Sequence, residues 1–249
     1  MNERQKAIVD LVNRKGKVSF QELKETFASV SEMTIRRDLE SLDQMRLLIR
    51  IHGGAKSFET VMERDDLFQR RMVTNTQAKE TIARKALPLV KSGMTIYLDS
   101  GSTVTAFARV LPDEPYLIFT ASLSVAIELT RLKKSEINVL GGRLNSQSFC
   151  MNGTRGLEWL KDVNLNLAIF GTTGYSQENG FTCGDSNEYE LKRTIASRST
   201  KNVVLMDASK VGTVSPFTFA TLEDIDVVVA DGLPHAVTQR FLEHDITIL

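Results

Sequence analysis

The sequence predicts an α/β protein in which a small N-terminal winged helix-turn-helix domain precedes a larger α/β domain. Three observations carry this expectation. Residues 1–56 contain three short stretches with apolar residues at helical spacing, followed by an apolar strand and a Gly53-Gly54 turn. From Thr95 onward, seven short Val/Ile/Leu-rich segments are separated by helical ones, the pattern of a sheet covered on both faces. Charge is also uneven: 31 basic and 31 acidic residues cancel overall, but residues 1–56 hold 11 basic and 8 acidic ones. A basic head on a slightly acidic body suits a nucleic-acid-binding module joined to something else.

The 249 residues suffice for one small and one medium domain, expected at 1–56 and 76–249 with a charged connector at 57–75. Apolar runs are only a few residues long, so no membrane span is expected. The opening MNERQKAIVDLVNRKGK lacks the apolar core of a secretory signal, so a cytoplasmic protein is expected. Two cysteines, Cys150 and Cys183, make neither a disulfide framework nor a metal-ligand cluster. No metal and no cofactor are expected.

In the head, Ala7, Ile8, Leu11 and Val12 mark a first helix that Gly16 ends. Ser19 and Glu22 form a capping box opening a second, with Leu23 and Phe27 inward. Ser31 caps a third, whose Ile35, Leu39 and Leu42 fall on one face. At 100° per residue, Met33 and Arg37 point away from that face and Arg36 lies to its side. An arbitrary Arg-Arg pair of this kind is a solvated helix face. Two short helices joined by a tight turn, followed by a wing carrying Arg50, His52 and Lys56, give it another meaning. A helix fits the major groove of double-stranded DNA, its first turns meeting base edges. Met33, Thr34 and Arg37 have the reach for bases or backbone, and Arg36 suits a phosphate.

TIRRDLESL followed by RIHGGA resembles the N-terminal signature of the DeoR family of bacterial transcriptional regulators, over Glu3 to Ala55. The resemblance implies a recognition helix at Ser31 to Met45 and a wing at Arg50 to Lys56. The DNA-contacting set is then Ser31, Met33, Thr34, Arg36, Arg37, Arg50, His52, Gly53 and Gly54.

In the body, a helix at Gln77 to Val90 precedes TIYLD, LIFTA, INVLGG, LAIFGTTG, NVVLMDASK, IDVVVADG and ITIL, the seven expected strands. Ligand sites in such sheets lie at the carboxyl ends of the strands. The loops there are Asp99 to Thr103, Thr120 to Ser122, Gly141 to Arg143, Gly171 to Gly174 and Asp207 to Lys210. Ser100-Gly101-Ser102-Thr103 supplies hydroxyls, a close-approach glycine and helix N-terminal amides, which hold phosphate without a lysine loop; taken alone it also reads as a capped helix after a tight turn.

LDSGST, GTTGYSQENGFT, Glu188-Tyr-Glu190-Leu-Lys192 and DASK resemble the DeoR effector domain, whose fold is shared with ribose-5-phosphate isomerase. The resemblance implies a phosphorylated-sugar effector on Ser100 to Thr103, and Asp99, Thr120, Ser122, Gly171 and Thr172, from the strand-end loops, are expected around it. Lys192 and Lys210 either take ligand charge or anchor loops, and Arg143 has the length to reach an anion.

A sugar-phosphate isomerase-like enzyme with a fused DNA-binding head is the alternative. Proton transfer between sugar carbons needs a positioned base, and the loop Phe170 to Tyr175 carries no acid. No catalytic residue is therefore assigned. A DNA-architectural protein with a purely structural body is the third reading. The favoured one is a repressor relieved by a sugar phosphate, working as a homodimer or homotetramer because one small head reads too few base pairs.

Overall fold

A computed structural model describes residues 1, 3–28, 30–45, 47–51, 53–57 and 67–249. The chain forms two compact units, Met1–Leu67 and Phe68–Leu249. Among the described residues no helix is long and apolar enough to cross a membrane.

The first unit runs α1 (Glu3–Lys15), β1 (Lys17–Ser19), α2 (Phe20–Thr26), α3 (Glu32–Gln44), β2 (Leu48–Ile51) and β3 (Gly54–Ser57). Ile8, Val12, Leu23, Ile35, Leu39 and Leu42 close one core, joined by Val18, Leu48 and Ala55 from the strands. Helical spacing thus turns each stripe inward. The wing is a three-stranded antiparallel sheet in the order β1-β3-β2. Three residues of β1 are too short a stretch to show alternation, so the sequence betrays only the other two strands. The Ser19–Glu22 capping box forms at both of its bonds.

In the second unit, α4 (Leu67–Val73) and α5 (Thr76–Ala86) precede the sheet. Its strands are β4 (Thr95–Leu98), β5 (Leu117–Thr120), β6 (Glu136–Val139), β9 (Leu167–Gly171), β12 (Asn202–Asp207), β14 (Val227–Asp231) and β15 (Thr247–Ile248). All pairings are parallel, in the order β15-β14-β12-β9-β4-β5-β6. These are the seven strands the apolar segments announce. Neighbours along a strand face opposite sides. Ile96, Leu98, Ile169 and Leu205 join a core that includes Ile82 of α5 and Phe107 of α6 (Ser102–Val110). Tyr97, Ala168, Phe170 and Met206 join the other, with Leu160 of α8 (Thr154–Leu160) and Leu191 and Ile195 of α9 (Ser186–Arg198).

Two additions escape the sequence pattern. One is a hairpin of β7 (Arg143–Asn145) and β8 (Cys150–Asn152), and the other an antiparallel sheet of β10 (Gly174–Ser176), β11 (Gly180–Cys183) and β13 (Phe217–Ala220). From β4 the chain first builds outward through β5 and β6. It then crosses back to lay β9 on the other side of β4. The crevice left at that reversal, outside the carboxyl ends of β4 and β9, is where sheets of this kind take ligands.

Candidate functional site

The first unit presents α3 and the wing. The Ser31 hydroxyl accepts from the Thr34 amide at 3.2 Å, capping α3, and lies 2.9 Å from the Thr34 hydroxyl. Met33 is 63% exposed, and Arg36 and Arg37 are exposed beside it. The Arg36 guanidinium lies over the Phe20 ring, 4.4 Å from its centroid, so an aromatic face on α2 orients a charge that remains open to solvent. Arg50 stands 4.0 Å from Glu40, and its backbone amide donates to Asp43 at 3.1 Å. Phe20, Arg36, Leu39, Arg50, Ile51, Gly53 and Gly54 line one groove between helix and wing.

The two glycines have different reasons. Gly53 has φ +82°, which favours glycine, while a β-carbon on Gly54 would come within 2.2 Å of the Val18 carbonyl oxygen. Gly54 is buried and packs the wing together. His52 lies outside the described residues. Asp38, which the sequence patterns do not single out, is buried and accepts from Arg4 at 2.6 Å and Gln5 at 3.0 Å, fastening α3 to α1.

The second unit has a cleft, open on one side, at the reversal between β4 and β9. Ser100, Gly101, Ser102, Thr103, Gly171, Thr172, Lys192 and Lys210 all line it, so three of the five expected loops converge. Gly101 has φ +113° and precedes α6 with no side-chain cap, which leaves the first amides of that helix without a side-chain acceptor. An uncapped helix start of this kind attracts an anion.

Beneath the cleft, Asp99 accepts from the Gly171 amide at 2.9 Å and pairs with the Lys192 ammonium, which also donates to the Gly171 carbonyl at 2.8 Å. Asp99 and Lys192 are 2% and 3% exposed. Burial opposes the charge on Lys192, but Asp99, Cys183 and Glu188 outweigh it and hold its pKa above the ordinary lysine value. Lys192 is therefore a charged anchor as well as part of the wall.

Four expected positions stand elsewhere. Asp99 is below the cleft rather than on its wall. Thr120 and Ser122 are fully buried: the Thr120 hydroxyl accepts from the Ser122 amide, and the Ser122 hydroxyl caps α7 (Leu123–Leu129). Arg143 is exposed on β7 and does not line the cleft. Both loops belong to β5 and β6, on the far side of β4 from the reversal.

Arg71, Ser148, Thr173, Cys183 and Glu188 also line the cleft. Glu188 could have been found, since it precedes Lys192 by four residues on a helix and must share its face. Burial raises its pKa above the usual carboxylate value, with Lys192 opposing. Burial likewise lowers the pKa of Arg71, with Glu188 opposing. Burial also pushes the Cys183 thiol up to about 11. Ser148 and Cys183 come from the antiparallel additions, which the sequence pattern does not announce. Among the described residues no group of three or more His, Cys, Asp or Glu gathers as metal ligands.

Residues 4–61 match the DeoR-like helix-turn-helix domain family, and residues 74–232 match the DeoR C-terminal sensor domain family. The HTH-type transcriptional regulator GolR of Listeria innocua is 34% identical over 99% of this chain and 97% of its own. The glycerol-3-phosphate regulon repressor of Escherichia coli is 32% identical over 99% and 97%. The L-fucose operon activator of Haemophilus influenzae is 32% identical over 99% and 98%. Among solved structures, ribose 5-phosphate isomerase A of Neisseria gonorrhoeae aligns over 57% of this chain and 56% of its own, at 22% identity and a TM-score of 0.42. That likeness is too slight to say anything of activity, and the curated relatives named here are regulators rather than enzymes.

Proposed function

The chain belongs to the DeoR family of transcriptional regulators, and from that premise we propose that it represses a sugar-metabolism operon, releasing the operator when a phosphorylated sugar fills the cleft. The observation that carries the effector reading is the uncapped start of α6 at Gly101, set in one cleft with Lys192 and Lys210. Backbone amides and cations together suit a phosphate better than an unphosphorylated sugar. Ser100 to Thr103 would hold the phosphate, with Gly171 and Thr172 beside the sugar.

On the DNA side, Met33, Thr34 and Arg37 reach bases, while Arg36, Arg50 and the Gly53 turn hold backbone phosphates. Ser31 acts through its cap on α3. A ligand shifts DNA binding only through different affinities for two forms. Arg71 gives it a handle, because α4 is the end of the connector and Arg71 is part of the cleft wall. Lys79 fastens that end by donating to the Arg71 and Thr74 carbonyls. Paired heads on a dimer or tetramer read repeated half-sites, and the protein works in the cytoplasm beside its DNA.

The test is a thermal-shift screen of the whole protein against phosphorylated sugars, each beside its unphosphorylated parent. A compound at about a hundred times its Kd stabilises by about 2.7 kcal/mol, a shift of roughly 5–10 °C. A response confined to phosphorylated members, with the same compound releasing operator DNA, supports the proposal. A panel that leaves the melting point unmoved counts against it, and operon expression that falls on deleting the gene would make the protein an activator.

A further inference from the structure

The phosphate reading accounts for the cations and the helix start but not for Glu188. This carboxylate lines the cleft, is 8% exposed, and stands one turn before Lys192 on α9. The Lys192 ammonium goes to Asp99 and the Gly171 carbonyl instead. No salt bridge among the described residues takes up the Glu188 carboxylate.

The charges around the cleft set a limit. Arg71, Lys192 and Lys210 line it, Glu188 lines it too, and Asp99 lies beneath. The start of α6 adds about half a positive charge to the cations, while Asp185 stands with Asp99 near Glu188 and adds to the negative side. A phosphate monoester brings about −1.5 to −2 to the cations and the helix start. A second phosphate would double the negative charge beside a carboxylate shielded from water, where repulsion is poorly screened. An ionised carboxylate is an acceptor only, so its natural partners on a ligand are hydroxyl groups.

Resting on the proposed sugar-phosphate site, we infer that Glu188 is its specificity-determining residue: it accepts hydrogen bonds from sugar hydroxyls and rejects a second anionic group, so the effector is a sugar monophosphate. The carboxylate selects by repulsion as well as by attraction.

Titration calorimetry on the full-length protein tests this with three sets of probes: inorganic phosphate, pentose and hexose monophosphates, and the corresponding bisphosphates. The tightest monophosphate should bind at least about tenfold more tightly than its own bisphosphate. Glu188→Gln keeps the shape and removes the charge. It should narrow that ratio to within about threefold. A bisphosphate that equals or beats its monophosphate on the unmodified protein would overturn the inference, with phosphate binding still supporting the cleft as a phosphate site. An unchanged ratio in Glu188→Gln would also overturn it. If neither inorganic phosphate nor any sugar phosphate binds, the site reading falls and the inference with it. Should the variant fail to fold, the ranking on the unmodified protein decides.

Discussion

Replacing Lys192 by methionine removes the only ammonium bonded to Asp99 among the described residues and leaves a carboxylate that is 2% exposed. What remains for Asp99 is the Gly171 amide at 2.9 Å. Methionine fits the site by shape, because the lysine chain already lies against Phe219, its Nζ 4.6 Å from the ring centroid. Packing is thus conserved and the loss is electrostatic. Breaking a buried pair on one side costs about 3–5 kcal/mol. For a body of about 180 residues, with an unfolding entropy of roughly 0.38 kcal/mol per kelvin, that is a drop of about 8–13 °C. Removing both charges with Asp99→Asn and Lys192→Met should recover at least about half of it, since no unpaired charge is then buried. Thermal and urea denaturation of the two single variants and the double one measure the cycle. A single-variant drop under about 3 °C, or a double variant as low as the two losses added, would refute the account of Asp99–Lys192 as a coupled buried pair.

Gly101→Ala places a β-carbon on a backbone at φ +113°; it should cost about 1–3 kcal/mol and weaken sugar-phosphate binding, both read in one calorimetric series. The Cys183 thiol, pushed up to about 11, should react with iodoacetamide at pH 8 about a hundredfold more slowly than a free cysteine, as followed by mass spectrometry. Glu188 has a raised pKa in the fold, from burial with Lys192 opposing. Its contribution to stability is therefore full below its ordinary value of 4.5 and is lost as pH rises through the folded value. Denaturation of Glu188→Gln across that window should show a flatter pH profile than the unmodified protein. In the head, Arg37→Ala should weaken specific DNA binding more than non-specific binding, whereas Arg36→Ala should weaken both alike and flatten the salt dependence. Fluorescence anisotropy over a salt series would show equal effects from both changes if that division of labour is mistaken.

Patterns that repeat over a few residues are legible in the amino-acid order alone. The stripes of α1 and α3 and the caps at Ser19 and Ser31 are local, and each follows from spacing and side-chain chemistry. So do the central strands β5, β9 and β14, because a strand buried on both faces is apolar nearly throughout, while the edge strands β6 and β15 are partly exposed. The Ser100 to Thr103 loop is legible for the same reason: its glycine, hydroxyls and helix start are consecutive. Three-residue strands such as β1, β7, β8 and β10 carry too few side chains to declare a period, and with them the sequence hides Ser148 on the cleft wall.

Strand order is decided only by tertiary structure. It separates the loops after β4 and β9, which meet, from those after β5 and β6, which lie beyond β4. Thr120, Ser122 and Arg143 thereby fall outside a cleft that their position at strand ends had promised. The same packing turns Asp99 downward onto Lys192 and brings Glu188 and Arg71 to the wall. Sequence chose the residue types and the elements because those depend on neighbours along the chain. Which charges face one another depends on how distant elements pack, and that is settled only when the sheet closes its order.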